Sequence, residues 1–241
     1  MEIALAYPSL PGGGPRPLSR PRVAALAAEV RRKLFGAAPK PVEVGALARK
    51  TGRLRINGRP LNLCWDWEHA VHDPEGAPVL GCCEHDPAMP ETVMISLNGK
   101  ALGDSPEVLR STAAHELGHA IFDMPAAIAA GRGRAFRLGQ AEPRARRTID
   151  WAEWRADEFM GEFLVPAAML AKALAREAAE HSVGLRWRDR DGFARPSIHR
   201  PEPAALDSLT GALAERFGVS GAFMAVRLAR NGFLPARGAG L

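Results

Sequence analysis

A single tyrosine, three cysteines and the lack of any long apolar run set the first limits on this chain of 241 residues. The tyrosine is Tyr7, inside "MEIALAYPSLPGGGPRPLSR", whose prolines and glycines read as a mobile lead-in over residues 1–20. Chemistry that needs a tyrosine hydroxyl therefore has one poorly placed supplier. The cysteines (Cys64, Cys82, Cys83) are odd in number and two are adjacent, which makes a poor disulfide framework. With an N-terminus unlike a signal peptide, they predict a cytoplasmic protein. No apolar stretch approaches the roughly 18 residues of a transmembrane helix. There is no C-x-x-C either. Cys64, His69, His72, Cys82, Cys83 and His85 fall on separate β-prone runs, so a structural metal site among them is not expected. The net charge of +5 permits an acidic or nucleic-acid partner, but the many acidic residues argue against a polybasic protein.

What is present is a chain long enough to bury a full core, with helical and β-prone segments in blocks. Residues 22–35 and 41–52 read as helices, the first stopped by Gly36 and Pro39. From Leu54 to Asn98 the runs "LRING", "LNLCWDW", "APVLGCC" and "TVMISLN" suggest a small sheet. A helix capped by Asp104 or Ser105, with Pro106 in its first turn, should run to about Phe122. Its apolar stripe is Leu109, Ala113, Leu117 and Ala120. Residues 124–147 read as an arginine-rich loop, 148–164 and 167–179 as helices, and 182–206 as a second long loop. "LTGALAERFGVSGAFMAVRLARNGF" reads as helix, tight turn, helix. The expected division is a main domain over 21–181, the 182–206 loop, and a C-terminal helical hairpin over 207–241.

The chemistry lies in "STAAHELGHAIFD". Residues four apart on a helix share a face, so His115 and His119 can offer ring nitrogens to one ion. Glu116 lies beside them, within reach of water on that ion but outside its ligand set. This is the H-E-x-x-H pattern of metalloproteases, in which the ion acidifies water and the glutamate takes its proton. A plain helix face lined by two histidines is the competing reading.

A catalytic zinc usually has three protein ligands and one open position, so a third ligand should follow. The candidates are Glu142, Asp150, Glu153, Asp157, Glu158 and Glu162. Glu142 sits in the arginine-rich loop, which offers no rigid support, so the 148–164 helix is the better carrier. Glu153 and Asp157 share a face there. That spacing allows Glu153 to bind the metal while Asp157 hydrogen-bonds the far nitrogen of a ligand histidine. Glu158, and with it Glu162, is read as part of a solvated acidic face.

The blocks "PVEVGALARKTG", "TVMISLN", "LRSTAAHELGHAIFD", "EWRADEFMGEFLVP" and "LAERFGVSGAFMAVRLARNGF" follow one another in an order that resembles the ImmA/IrrE family of metallopeptidases. The family's second motif looks like E-x-x-A-[N/D]-x-F-A-x-x-L-L-M-P. Here it reads Glu153-Trp-Arg-Ala-Asp157-Glu-Phe-Met-Gly-Glu-Phe-Leu-Val-Pro166. The resemblance spans about residues 41–234. It implies His115, His119 and Glu153 as ligands of one divalent ion, zinc or manganese, with Glu116 as general base. It also implies an α/β (α+β) zincin-like fold, mostly helical, with the active helix packed on a small mixed sheet, to which the residues themselves add helix-turn-helix-like C-terminal helices. Known members cleave helix-turn-helix transcriptional repressors, releasing mobile-element or stress-response genes. The chain departs from the family in its long insert between the motifs and in the 182–206 segment.

Other expectations concern substrate and partners. "TVMISLN" directly precedes the metal-binding helix and could offer a sheet edge to an extended peptide. The oxyanion donor is not identified by sequence; His181, His199 or a loop arginine are candidates, each more ordinary as a surface residue. The C-terminal helices raise DNA binding as a different class of function. A recognition helix needs side chains that reach base edges, whereas the second helix opens Ser220-Gly-Ala-Phe-Met-Ala-Val. Arg227 and Arg230 could touch phosphates only. A regulator that keeps the metal site without turnover is the remaining alternative.

Overall fold

In the computed structural model, which describes residues 2–138, 150–190 and 193–234, the elements run in the following chain order. The first part holds β1 (Ile3–Leu5), α1 (Arg20–Phe35), α2 (Val44–Thr51), β2 (Arg53–Ile56), β3 (Arg59–Asp66), β4 (Gly81–His85) and β5 (Thr92–Leu97). Then come α3 (Gly99–Leu102), α4 (Pro106–Phe122), α5 (Met124–Ala130), β6 (Arg134–Leu138), α6 (Trp151–Leu164) and α7 (Ala167–Glu180). The chain closes with β7 (Leu185–Arg190), β8 (Phe193–Ile198), α8 (Pro203–Phe217) and α9 (Gly221–Arg230). The fold is mixed α+β. It forms two compact units, Met1–Gly36 with Val42–Phe163, and Ala37–Pro41 with Leu164–Leu241. The expected main domain ran on to 181, whereas α7 clusters with the second unit.

The first unit is built on a six-stranded mixed sheet in the order β1-β2-β3-β5-β4-β6. Burial alternates along β2 and β5 as a sheet with one covered face requires. Leu54, Ile56, Leu61, Leu63, Val93, Ile95 and Leu97 form the covered side. α4 packs on β4 and β5. It is buried at every position from Thr112 to Phe122, so the expected one-sided stripe is replaced by a helix covered all round. Behind it runs a chain of aromatic contacts: Tyr7 on Phe122, Phe122 on Phe159, Phe159 on Phe163, and Phe163 on Phe35.

Three expectations are corrected here. The first twenty residues are not a loose lead-in, because β1 pairs in parallel with β2 and buries Ile3, Leu5 and Tyr7. The Tyr7 hydroxyl donates to the Ile121 carbonyl at 2.6 Å, which ties the N-terminal segment to the end of α4. "TVMISLN" is β5, an interior strand bonded to β3 on one side and β4 on the other, so it has no free edge. The segment after α4 is not all loop. It forms α5 and then β6, which pairs antiparallel with β4 at the end of the sheet. Residues 139–149 of the arginine-rich insert, Glu142 included, lie outside the described residues.

In the second unit, α7 packs on α8, and α8 on α9. Gly218 leaves α8 in the left-handed conformation (φ 67°), and the Ser220 side chain caps α9 by accepting from the Phe223 N–H. Arg227 is buried and donates to the Val165 carbonyl at 3.0 Å, so it is unavailable to phosphate. The expected 182–206 loop holds the antiparallel pair β7–β8. Leu185-Arg186-Trp187-Arg188 alternates, but the run is short, Asp189 stands at its next apolar position and Pro196 interrupts the second run, so composition read as loop.

Candidate metal centre

Two helices and one edge strand bring the candidate residues together. α4 carries His115 and His119 one turn apart, and α6 carries Glu153 near its start. Asp150 fixes that start by accepting from the Ala152 N–H at 2.9 Å. The two helices approach closely because position 118 is glycine. A Cβ there would lie 3.0 Å from Ala156 Cα. Gly81 on β4 does the same for the sheet, since its Cβ would meet Thr112 Cγ2 at 2.6 Å and Glu116 Oε1 at 2.9 Å.

The geometry is that of a cradle for one cation. His115 Nε2 and His119 Nε2 are 3.1 Å apart. Glu153 Oε2 lies 3.3 Å from His115 Nε2, and Glu153 Oε1 lies 3.4 Å from His119 Nε2. Ligands about 2.05 Å from a tetrahedral ion stand about 3.3 Å from one another. The separation of the two imidazole nitrogens, and the distance from each to one or other Glu153 oxygen, are close to that figure. Among the described residues this is the one group of three such side chains with ligand atoms mutually within 4.8 Å. Both histidines are buried, while the Glu153 side chain is 39% exposed, so the centre opens to solvent on the Glu153 side.

Each histidine is oriented through its other nitrogen. His115 Nδ1 meets Asp157 Oδ1 at 3.2 Å, the pairing the sequence suggested. His119 Nδ1 meets Asp123 Oδ2 at 3.0 Å, and Asp123 is gripped in turn by Arg155. These carboxylates favour a proton on Nδ1 and leave the Nε2 lone pairs aimed at a common point. Two lone pairs so close repel unless a proton or metal ion lies between them. Phe136 of β6 completes the wall, stacked on His119 with centroids 4.2 Å apart.

Charge at the centre follows from these contacts. Burial opposes a charged His115, yet its hydrogen bonds to Asp157 and Glu153 raise its pKa to about 10. His119 is likewise raised: burial works against the charge, and the bonds to Asp123 and Glu153 prevail. Burial disfavours an ionised Glu153, but both histidines hold its carboxyl well below the usual range. Glu116 is pushed by burial up to about 7, a rise that the two histidines only moderate. Its two carboxyl oxygens are buried with no hydrogen-bond partner. An ionised carboxylate in that position accepts no hydrogen bond and the two histidines offset its burial only in part, so a divalent ion beside it would supply further positive charge. The donor set of two imidazoles and a carboxylate suits zinc.

The other candidates have different places. Glu158 is buried and pairs with Arg20 Nε at 3.0 Å, and Glu162 is buried too, so neither belongs to a solvated acidic face. Tyr7 is committed to a backbone carbonyl. His181 and His199 belong to the second unit, where His181 Nδ1 meets Ser208 Oγ at 2.9 Å. Cys82 and Cys83 point to opposite faces of β4, and His85 Nδ1 bonds the Thr92 carbonyl oxygen, so the middle segment assembles no metal cluster among the described residues. Sequence reasoning missed Asp123 and Phe136. Asp123 was findable, because it lies four residues after His119 on the same helical face. Phe136 was hidden in what read as loop.

Residues 94–229, which include both helices, match the family model described as the IrrE N-terminal-like domain, Peptidase_M78. A comparison with curated proteins returned no match.

Proposed function

The chain belongs to the IrrE N-terminal-like, Peptidase_M78 family, and from that premise we propose that it is an endopeptidase whose metal is held by His115, His119 and Glu153. The observation that carries this reading is the convergence of those three side chains beside the unpartnered Glu116 carboxylate. A divalent ion held there, zinc before manganese, supplies Lewis acidity that polarises the scissile carbonyl and lowers the pKa of water. Glu116 accepts the proton from the attacking water and returns it to the leaving amine nitrogen. Asp157 and Asp123 keep the imidazoles in register through Nδ1. β6 supports an extended substrate: it ends the sheet beside His119, and an edge strand can pair with a peptide backbone. The substrate we infer is a helix-turn-helix transcriptional repressor met in the cytoplasm. No helix among the described residues is long and apolar enough to cross a membrane.

The test combines metal content with turnover. Wild type should carry one metal ion per chain by elemental mass spectrometry, and Glu153→Ala much less. Glu116→Gln should keep the metal and lose cleavage of a repressor encoded beside the gene. A wild type that takes up no ion from zinc or manganese solutions refutes the metal centre. Full biological activity of Glu116→Gln would instead show that the protein acts by binding.

A further inference from the structure

The β7–β8 ribbon of the second unit places three arginines on one face. Arg186 and Arg188 are two apart on β7 and so point the same way. Arg195 stands directly opposite Arg188 across the ladder. Arg186 and Arg188 are exposed and Arg195 half-buried, and none of the three forms an ion pair among the described residues. The other face carries Leu185, Trp187, Pro196 and Ile198, the last two buried, with the exposed Asp189 at its far end. Like charges directly opposite on a sheet are destabilising. This pair has no acid to relieve it on its own face.

The same guanidiniums act on the neighbouring histidine. Desolvation, then the Arg186, Arg200 and Arg188 guanidiniums, push His199 below its ordinary value. An uncompensated guanidinium row on an extended scaffold calls for a row of anions. Arginine, with its planar fork, matches phosphate oxygens two at a time. Residues two apart on a strand stand about 6.8 Å apart, a step that suits successive phosphates along one nucleic-acid strand. A two-stranded ribbon also fits the major groove of B-form DNA, about 12 Å wide, whereas the A-form RNA groove is too narrow.

We propose that the β7–β8 ribbon binds the phosphate backbone of duplex DNA through Arg186, Arg188 and Arg195. Sequence preference is not implied, because guanidinium–phosphate contacts position a protein without reading bases. The ribbon takes over the DNA-binding role that the sequence had suggested for α8 and α9, whose Arg227 is buried.

The test is fluorescence anisotropy of the full chain with a labelled 24-base-pair duplex at 50–200 mM salt. The three contacts should contribute about −2.7 to the slope of log K against log salt. Their share of the loss over that range is then about 40-fold. Arg186→Ala, Arg188→Ala and Arg195→Ala combined should flatten the slope by that amount, with metal content and circular dichroism unchanged. The corresponding triple lysine variant should keep the slope, which guards against a folding artefact. An unchanged slope in the alanine variant overturns the proposal, as does failure of the wild type to bind duplex at 50 mM salt. Equal displacement by polyglutamate would assign the ribbon to an acidic protein surface, and tighter binding of duplex RNA would also overturn it.

Discussion

Replacing Glu116 by glutamine should stabilise the metal-free protein while abolishing turnover, and the gain should depend on pH. Burial raises the Glu116 carboxyl from 4.5 to about 7. Below pH 4.5 it is protonated both folded and unfolded and contributes nothing. Between the two values the unfolded chain ionises while the native one does not, so native stability falls as pH rises. Above 7 the penalty is constant at about 3 kcal/mol. Glutamine keeps the shape without the titration. The two proteins should therefore melt together near pH 4.5 and separate by roughly 6–12 °C at pH 8. The histidine contributions cancel only in part, because the Glu116 charge helps to raise both His115 and His119 and the glutamine variant loses that help. The assay is calorimetry in a chelator at four pH values. Adding zinc should narrow the gap, since a cation beside the carboxylate favours its ionised form. A gap that is the same at pH 4.5 and pH 8 would refute the claim that Glu116 is a buried, uncompensated carboxyl.

The orienting carboxylates should not be equal. Asp123→Asn and Asp157→Asn should each weaken zinc binding, within the 10- to 100-fold typical of such partners, measured by chelator competition. Asp123 should matter more, because its side chain is 5% exposed against 55% for Asp157, so its bond is less screened by water. Gly118→Val should cost about 1–3 kcal/mol in denaturant unfolding by forcing α6 off α4, and metal content should fall with it. Gly81→Ala should cost a similar amount from contact with Thr112 and Glu116. Adding Thr112→Ser, which removes the Cγ2 methyl, should restore part of the loss. A Gly81→Ala protein as stable as wild type would show that β4 is free to move away from α4.

The candidate metal centre was legible because the side chains that converge there follow helical spacing. His115 and His119 are one turn apart, so the sequence alone places both on one face, and Glu153 with Asp157 repeats that logic on the next long helix. Helix ends were legible where punctuation is explicit, as at Pro106 and Gly218. The sheet was legible as four of its six strands, β2 to β5, but not as an order. Nothing in "TVMISLN" distinguishes an edge from an interior strand, since that depends on pairing with β3 and β4, which are distant in sequence. The N-terminal segment misled for a related reason. Three residues of β1 are too few to show a period, and their burial is decided by β2 and by the Tyr7 bond to Ile121.

The wall of the centre was illegible because a metal site needs two kinds of information, and local spacing carries only one. Spacing along α4 and α6 supplies ligands, but it does not hold two separate helices at the distance one ion requires. That distance is set by absences: no Cβ at position 118 against Ala156, and none at position 81 against Thr112. In the sequence these are two among many glycines. Phe136 is the converse case, an aromatic ring inside an arginine-rich stretch, where composition suggested loop. Its strand forms by borrowing the free edge of β4, and only then does the ring lie flat on His119. The residues that make the chemistry could be read one helix at a time, whereas those that hold it to a common point act through contacts between elements.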